Sequence, residues 1–214
     1  MHSLDDPVWY VAFGSNLHRE RLCAYLVGKP TPGSPSGHIE SGARDSRLPE
    51  QDEPASLWHP LMFAGVSKRW NGGGAAFLDS SRTVEQPTLA RRYRITWGQL
   101  EDIHRQENSA AVVEPSTPAE LRTGKLHRYR NGRYDLLLFC GMHDDGAPMA
   151  TITCSQGANP TQPDTSYLTA LATGLNETGY PRGEIIAYLA ALEGVVGNIE
   201  QSTIERIVTT TLVE

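Results

Sequence analysis

Val8-Trp9-Tyr10-Val11-Ala12-Phe13-Gly14-Ser15-Asn16-Leu17 is the stretch on which the reading of this chain turns. An apolar run enters a glycine, which reads as a buried strand, Val8–Phe13, stopped by a turn. Ser15 or Asn16 then caps a helix expected over 17–26, with Leu17, Leu22, Tyr25 and Leu26 on its inner face. Backbone N–H groups at such a junction are left unpaired, and the helix dipole favours negative charge there. The segment 13–17 thus reads as a loop for a carboxylate-sized anion. It reads equally as a plain strand–turn–helix with an ordinary cap.

A second constellation centres on Glu107. Trp97, Leu100, Ile103 and Glu107 recur at three- and four-residue steps, so they share one face of a helix expected over 97–106 and its end. Three are apolar and should face the core. The fourth is a carboxylate that burial and the negative end of the helix dipole both push toward its neutral form, as a general acid/base near neutral pH requires. The bland alternative is a carboxylate turned outward or paired with an arginine. Glu101 and Asp102 lie off this stripe. A third constellation is Trp70-Asn71-Gly72-Gly73-Gly74-Ala75, where glycines permit close approach of a ligand or another chain segment. It lacks the lysine and hydroxyl of a phosphate loop.

The rest of the chain supplies a frame. Strands are expected at 61–66, 75–79, 88–96, 121–130, 134–140 and 149–154, with a hairpin at Asn131-Gly132. Helices follow at 165–175, after Pro181, and behind a capping-box pattern at Ser202 and Glu205. Strands mixed with helices and then a helical tail make an α+β chain, read as one domain over 1–214. The proline- and glycine-rich 29–58 reads as a surface insertion.

Several functions are disfavoured. The net charge of −6 gives no general attraction to nucleic acid or anionic membranes, and Arg82, Arg91, Arg92 and Arg94 read as solvated sheet positions. Cys23, Cys140 and Cys154 lack metal or disulfide spacing, and His143-Asp144-Asp145 reads as a turn. No basic start leads a long apolar stretch, so a cytoplasmic protein is expected.

Taken in order, the three constellations resemble the γ-glutamylcyclotransferase family. That family opens with a strand entering Y-G-S-N-L, here Phe13-Gly14-Ser15-Asn16-Leu17. A W-x-G-G segment follows, here Trp70-Asn71-Gly72-Gly73, then L-D-x-x-E-G, here Ile103-His104-Arg105-Gln106-Glu107-Asn108. A later P-x-x-Y is similar to the stretch Pro163–Tyr167. The resemblance implies a small mixed β-barrel flanked by helices and a γ-glutamyl amide as small-molecule substrate. It implies Glu107 as acid/base and Phe13, Gly14, Ser15, Asn16, Leu17, Trp70, Gly72, Gly73 and Tyr167 as substrate-binding. The implied product is 5-oxoproline with release of an amine, and the implied chemistry requires no metal or cofactor. An amide hydrolase on the same fold, or a silent module for glutamate-like carboxylates, are the competing readings. A homodimer is left open. The chain departs from the pattern at Phe13, at Asn108 and in the insertion.

Overall fold

Pro7–Ala12 forms strand β1, and it is buried on both faces. The computed structural model describes residues 3–109, 116–127, 132–155 and 159–211. Alternation along β1 divides the core. Val8, Tyr10 and Ala12 enter one hydrophobic cluster, Val11 and Phe13 the other. A strand enclosed on both sides has no polar face to keep, which is why it reads as an unbroken apolar run.

The remaining strands are β2 (Asp52–Leu57), β3 (Leu61–Ala64), β4 (Ala75–Leu78), β5 (Thr88–Thr96), β6 (Lys125–His127), β7 (Leu136–Met142) and β8 (Pro148–Thr153). Six form a mixed sheet in the order β2-β5-β1-β8-β7-β6, and β3 pairs with β4 separately. β1 lies antiparallel to β5 and parallel to β8. The Thr153 hydroxyl donates to the Leu78 carbonyl and accepts from the Leu78 N–H, which ties β4 to β8 and draws the two sheets together. Helices α1 (Arg19–Val27) and α2 (Trp97–Glu107) pack on the Tyr10 side. A short α3 (Pro118–Leu121) precedes β6. The helices α4 (Thr165–Glu177), α5 (Arg182–Ala191) and α6 (Gln201–Thr210) pack on the Phe13 side with β3 and β4. The chain is α+β, a mixed sheet flanked by helices.

Two local expectations need correction. Segment 29–58 is not wholly a surface excursion. It contains β2, an edge strand where Pro54 leaves no essential ladder donor missing. It is also moored to α1 and α2: the Ala43 N–H donates to the Leu26 carbonyl, and the Gly42 N–H to Gln106 Oε1. The expected Asn131-Gly132 hairpin turn lies largely outside the described residues, although β6 and β7 do pair antiparallel on either side of it. His127 pairs with Leu136, which leaves 128–135 between the strands; Asn131 and 128–130 lie outside the described residues. The C-terminal part of that connection is held elsewhere, since the Tyr134 N–H donates to Asn108 Oδ1. Finally, α6 starts at Gln201 with Glu200 as N-cap and no side-chain cap, whereas α2 carries a true capping box from Thr96 and Gln99.

Candidate functional site

β1 delivers Phe13–Asn16 to the site. The expected continuous helix 17–26 is broken: Ser15–Leu17 makes one 3-10 turn, His18 is extended, and α1 begins at Arg19. The cause is a competition for carbonyls. The Tyr93 hydroxyl donates to the Asn16 and Leu17 carbonyls (3.0 and 2.9 Å), and Arg91 Nη1 donates to the Leu17 carbonyl (3.1 Å). Those oxygens therefore do not accept the helical bonds that would have joined the turn to α1. Arg91 is itself buried, with Asp52 and Glu177 as ion-pair partners, and is not the solvated residue its sequence setting suggested.

On its other side the turn borders a cavity of about 410 Å³. Phe13, Gly14, Ser15 and Asn16 line it, together with Trp70, Tyr167 and Glu107. Three expected residues do not. Leu17 is fully buried core, where Gly174 of α4 packs directly on the Leu17–His18 backbone. Gly72 and Gly73 also lie off the cavity wall. A Cβ on Gly73 would collide with the backbone of Asp164, so this glycine admits a chain segment rather than a ligand. The Gly74 N–H donates to the Gln162 carbonyl, and the same close approach sets where α4 starts. Tyr167 is thereby brought under the loop, where its hydroxyl accepts the Ser15 N–H at 3.4 Å. Its ring lies 4.3 Å from that of Trp70.

Glu107 is the last residue of α2 and is half-buried. Burial pushes its carboxyl pKa above the ordinary range. The Arg69 charge and the Tyr25 hydroxyl oppose that push, and the Glu40 charge adds to it. The hydroxyls of Tyr10, Tyr25, Tyr134 and Tyr167 are shifted upward, by burial first and by the Glu107 charge as well. Asn108 is anchored as the helix cap. Its Nδ2 donates to the His104 and Tyr134 carbonyls (3.0 and 2.8 Å), which fixes Tyr134 at the cavity.

Sequence reasoning missed Tyr10, Arg21, Tyr25, Arg69 and Tyr134, all of which line the cavity. Arg21 and Tyr25 are four residues apart on α1, and that shared face was a usable signal. Arg21 is 1% exposed, and its guanidinium sits 4.5 Å above the Trp70 ring. Lys68 and Arg133 add two more cations, so one carboxylate, Glu107, faces four cationic side chains among the described lining residues. Asn16 is buried, and its Oδ1 accepts no hydrogen bond among the described residues.

No family model matches the chain. It is similar to the Arabidopsis thaliana protein called histone deacetylase 5, at 28% identity over 190 residues, which cover 80% of this chain and 28% of that protein. The chain thus spans less than a third of that relative's length. Among the described residues no group of three or more His, Cys, Asp or Glu side chains is placed to hold a metal ion. No described helix is long and apolar enough to cross a membrane. Two solved structures are similar along nearly their whole length. One is an uncharacterised protein from Homo sapiens, with TM-score 0.52 and 14% identity over 94% of this chain and 98% of that one. The other is γ-glutamyl cyclotransferase, with TM-score 0.52 and 14% identity over 96% and 99%. The fold of this chain is that of γ-glutamyl cyclotransferase.

Proposed function

We propose that this chain is an enzyme of the γ-glutamyl cyclotransferase type, acting on a γ-glutamyl amide with Glu107 as acid and base. The observation that carries the reading is the meeting, in one cavity, of the 14–16 turn with a single carboxylate at the end of α2. The substrate's α-carboxylate lies against the turn's backbone N–H groups, within the field of Arg21. Its α-ammonium faces Asn16 Oδ1 and Glu107, which gives the buried acceptor a partner; an unmade bond there costs roughly 1–3 kcal/mol.

The chemistry then needs few parts. Glu107 takes a proton from the α-ammonium, and the freed amine attacks the γ-carbonyl carbon. A C–N bond closes the five-membered ring, and the cationic wall of the cavity stabilises the oxyanion. The original amide C–N bond breaks as Glu107 returns its proton to the departing nitrogen, and the ring nitrogen gives its second proton to the emptied carboxylate, which passes it to solvent or the released amine. 5-Oxoproline and an amine result, with no water consumed. Because nucleophile and electrophile belong to one molecule, orientation supplies much of the acceleration.

A panel of γ-glutamyl amides, assayed for 5-oxoproline and for free glutamate, tests this. Release of 5-oxoproline that Glu107→Gln abolishes is the expected result. Free glutamate instead would make the protein an amide hydrolase. Binding of glutamate-like anions without turnover would make it a binding module.

A further inference from the structure

Glu40 lies outside the cavity, yet it is connected to it. Arg69 Nη1 donates to the Tyr25 hydroxyl at 2.9 Å and to Glu40 Oε1 at 2.8 Å, while Arg69 Nη2 is 2.8 Å from His38 Nε2. The Tyr25 hydroxyl in turn stands with the Glu107 carboxyl on the cavity wall and lowers its pKa. A chain of interactions therefore runs Glu40–Arg69–Tyr25–Glu107, and its outer end belongs to the segment before β2. Glu40 is only 3% exposed. It is fixed by a small two-stranded turn, in which the Glu40 N–H donates to the Lys29 carbonyl and the Thr31 N–H to the His38 carbonyl. Burying a carboxylate costs several kcal/mol unless it is paired, and here the pairing partner is an arginine on the cavity wall.

We propose that Glu40 is a positioning residue of the site: it holds the Arg69 guanidinium against Tyr25, and through that pair it sets the orientation and proton affinity of Glu107. The inference rests on Glu107 being the acid/base named above. The two charges act in opposite directions. Arg69 favours the Glu107 carboxylate, and Glu40 disfavours it while keeping Arg69 in place. The other groups facing Glu107 are Tyr10 from β1, Arg21 and Tyr25 from α1, His38 from the same segment as Glu40, Tyr134 from the connection before β7, and Tyr167 from α4. Lys68 and Arg133 stand exposed on the cavity wall.

The test reads Glu107 directly. In protein labelled with carbon-13 at glutamate carboxyls, the resonance missing from Glu107→Gln identifies Glu107, and its titration can be followed without any substrate. Glu40→Gln keeps an acceptor for Arg69 but removes the charge, so the Glu107 midpoint should fall, by up to about one pH unit. Arg69→Met should raise it by a similar amount. If Arg69→Met does not fold, the double variant E40Q/R69M removes both charges together. Its midpoint should lie above the unsubstituted protein's, because Arg69 outweighs Glu40 at Glu107. Where 5-oxoproline is released, the ascending limb of kcat/KM should move with each midpoint. An unmoved midpoint in folded Glu40→Gln would overturn the inference. Midpoints that move in a protein that turns over no γ-glutamyl amide would leave the network standing and remove the proposed reaction instead.

Discussion

Asp102 and Glu107 sit five residues apart on α2 and differ in what they meet. Asp102 is 2% exposed and is occupied by Arg44, whose backbone N–H and Nε both donate to it at 2.8–3.1 Å. Glu107 has the Tyr25 hydroxyl and the Arg69 charge acting on it, and one side open to the cavity. The first carboxylate is a fastener between α2 and segment 29–51. The second keeps capacity to exchange a proton. Burial is common to both, so burial does not distinguish a reactive carboxylate from a structural one. Open lone pairs beside a cavity do.

The sharpest way to break this comparison is to substitute both. Glu107→Gln should lower 5-oxoproline release by at least about a hundredfold, as loss of a general acid/base does, with the circular dichroism spectrum unchanged. Asp102→Ala should do the reverse, leaving kcat per folded molecule intact while lowering unfolding free energy by roughly 1–3 kcal/mol in a denaturant titration. The lower half of that range is favoured because the Arg44 side chain is 55% exposed and screened by water.

A smaller effect separates the two by pH. The Glu107 pKa is raised in the folded protein, so the folded state binds this proton more tightly than the unfolded chain does. Its stabilising contribution is present below the ordinary glutamate value and is lost as pH rises through the folded pKa. Glu107→Gln should therefore flatten part of the decline in Tm between about pH 4.5 and neutrality. If Tm falls equally in both proteins, Glu107 is not held toward its neutral form. The smallest expected effect is at the start of the helix. Thr96→Ala removes a capping box and should cost about 1 kcal/mol. Ser202→Ala, at a position that caps nothing, should stay within about 0.5 kcal/mol.

Much of the frame was legible because it is local. A doubly buried strand shows as an apolar run, and α2 announces itself by the Trp97–Leu100–Ile103–Glu107 stripe. The network behind the site was not legible, because its members share no period. Glu40, Arg69 and Glu107 are dozens of residues apart, and a glutamate in a proline- and glycine-rich stretch looks solvated until its arginine is placed. β2 was hidden for a similar reason. Asp52-Glu53-Pro54 has a loop's composition, and only the pairing with β5 makes it an edge strand. Three of the buried polar residues of α2, Gln99, Asp102 and Gln106, reach backbone groups of segment 42–47, which no pattern within α2 reveals.

The position of β1 in the sheet has a consequence for the order in which the molecule comes together. β1 precedes both of its neighbours in the chain: Pro7 pairs with Thr96, and Trp9 with Met149. During synthesis this apolar strand precedes both partners: one edge waits for β5 at Thr88–Thr96 and the other for β8 at Pro148–Thr153. An uncovered strand of that kind is prone to pair with copies of itself. Asp5 and Asp6 immediately before it, with Pro7 at its first position, are residues that discourage such pairing. The acidic pair before β1 thus acts as a guard on a strand whose partners follow it only dozens of residues later.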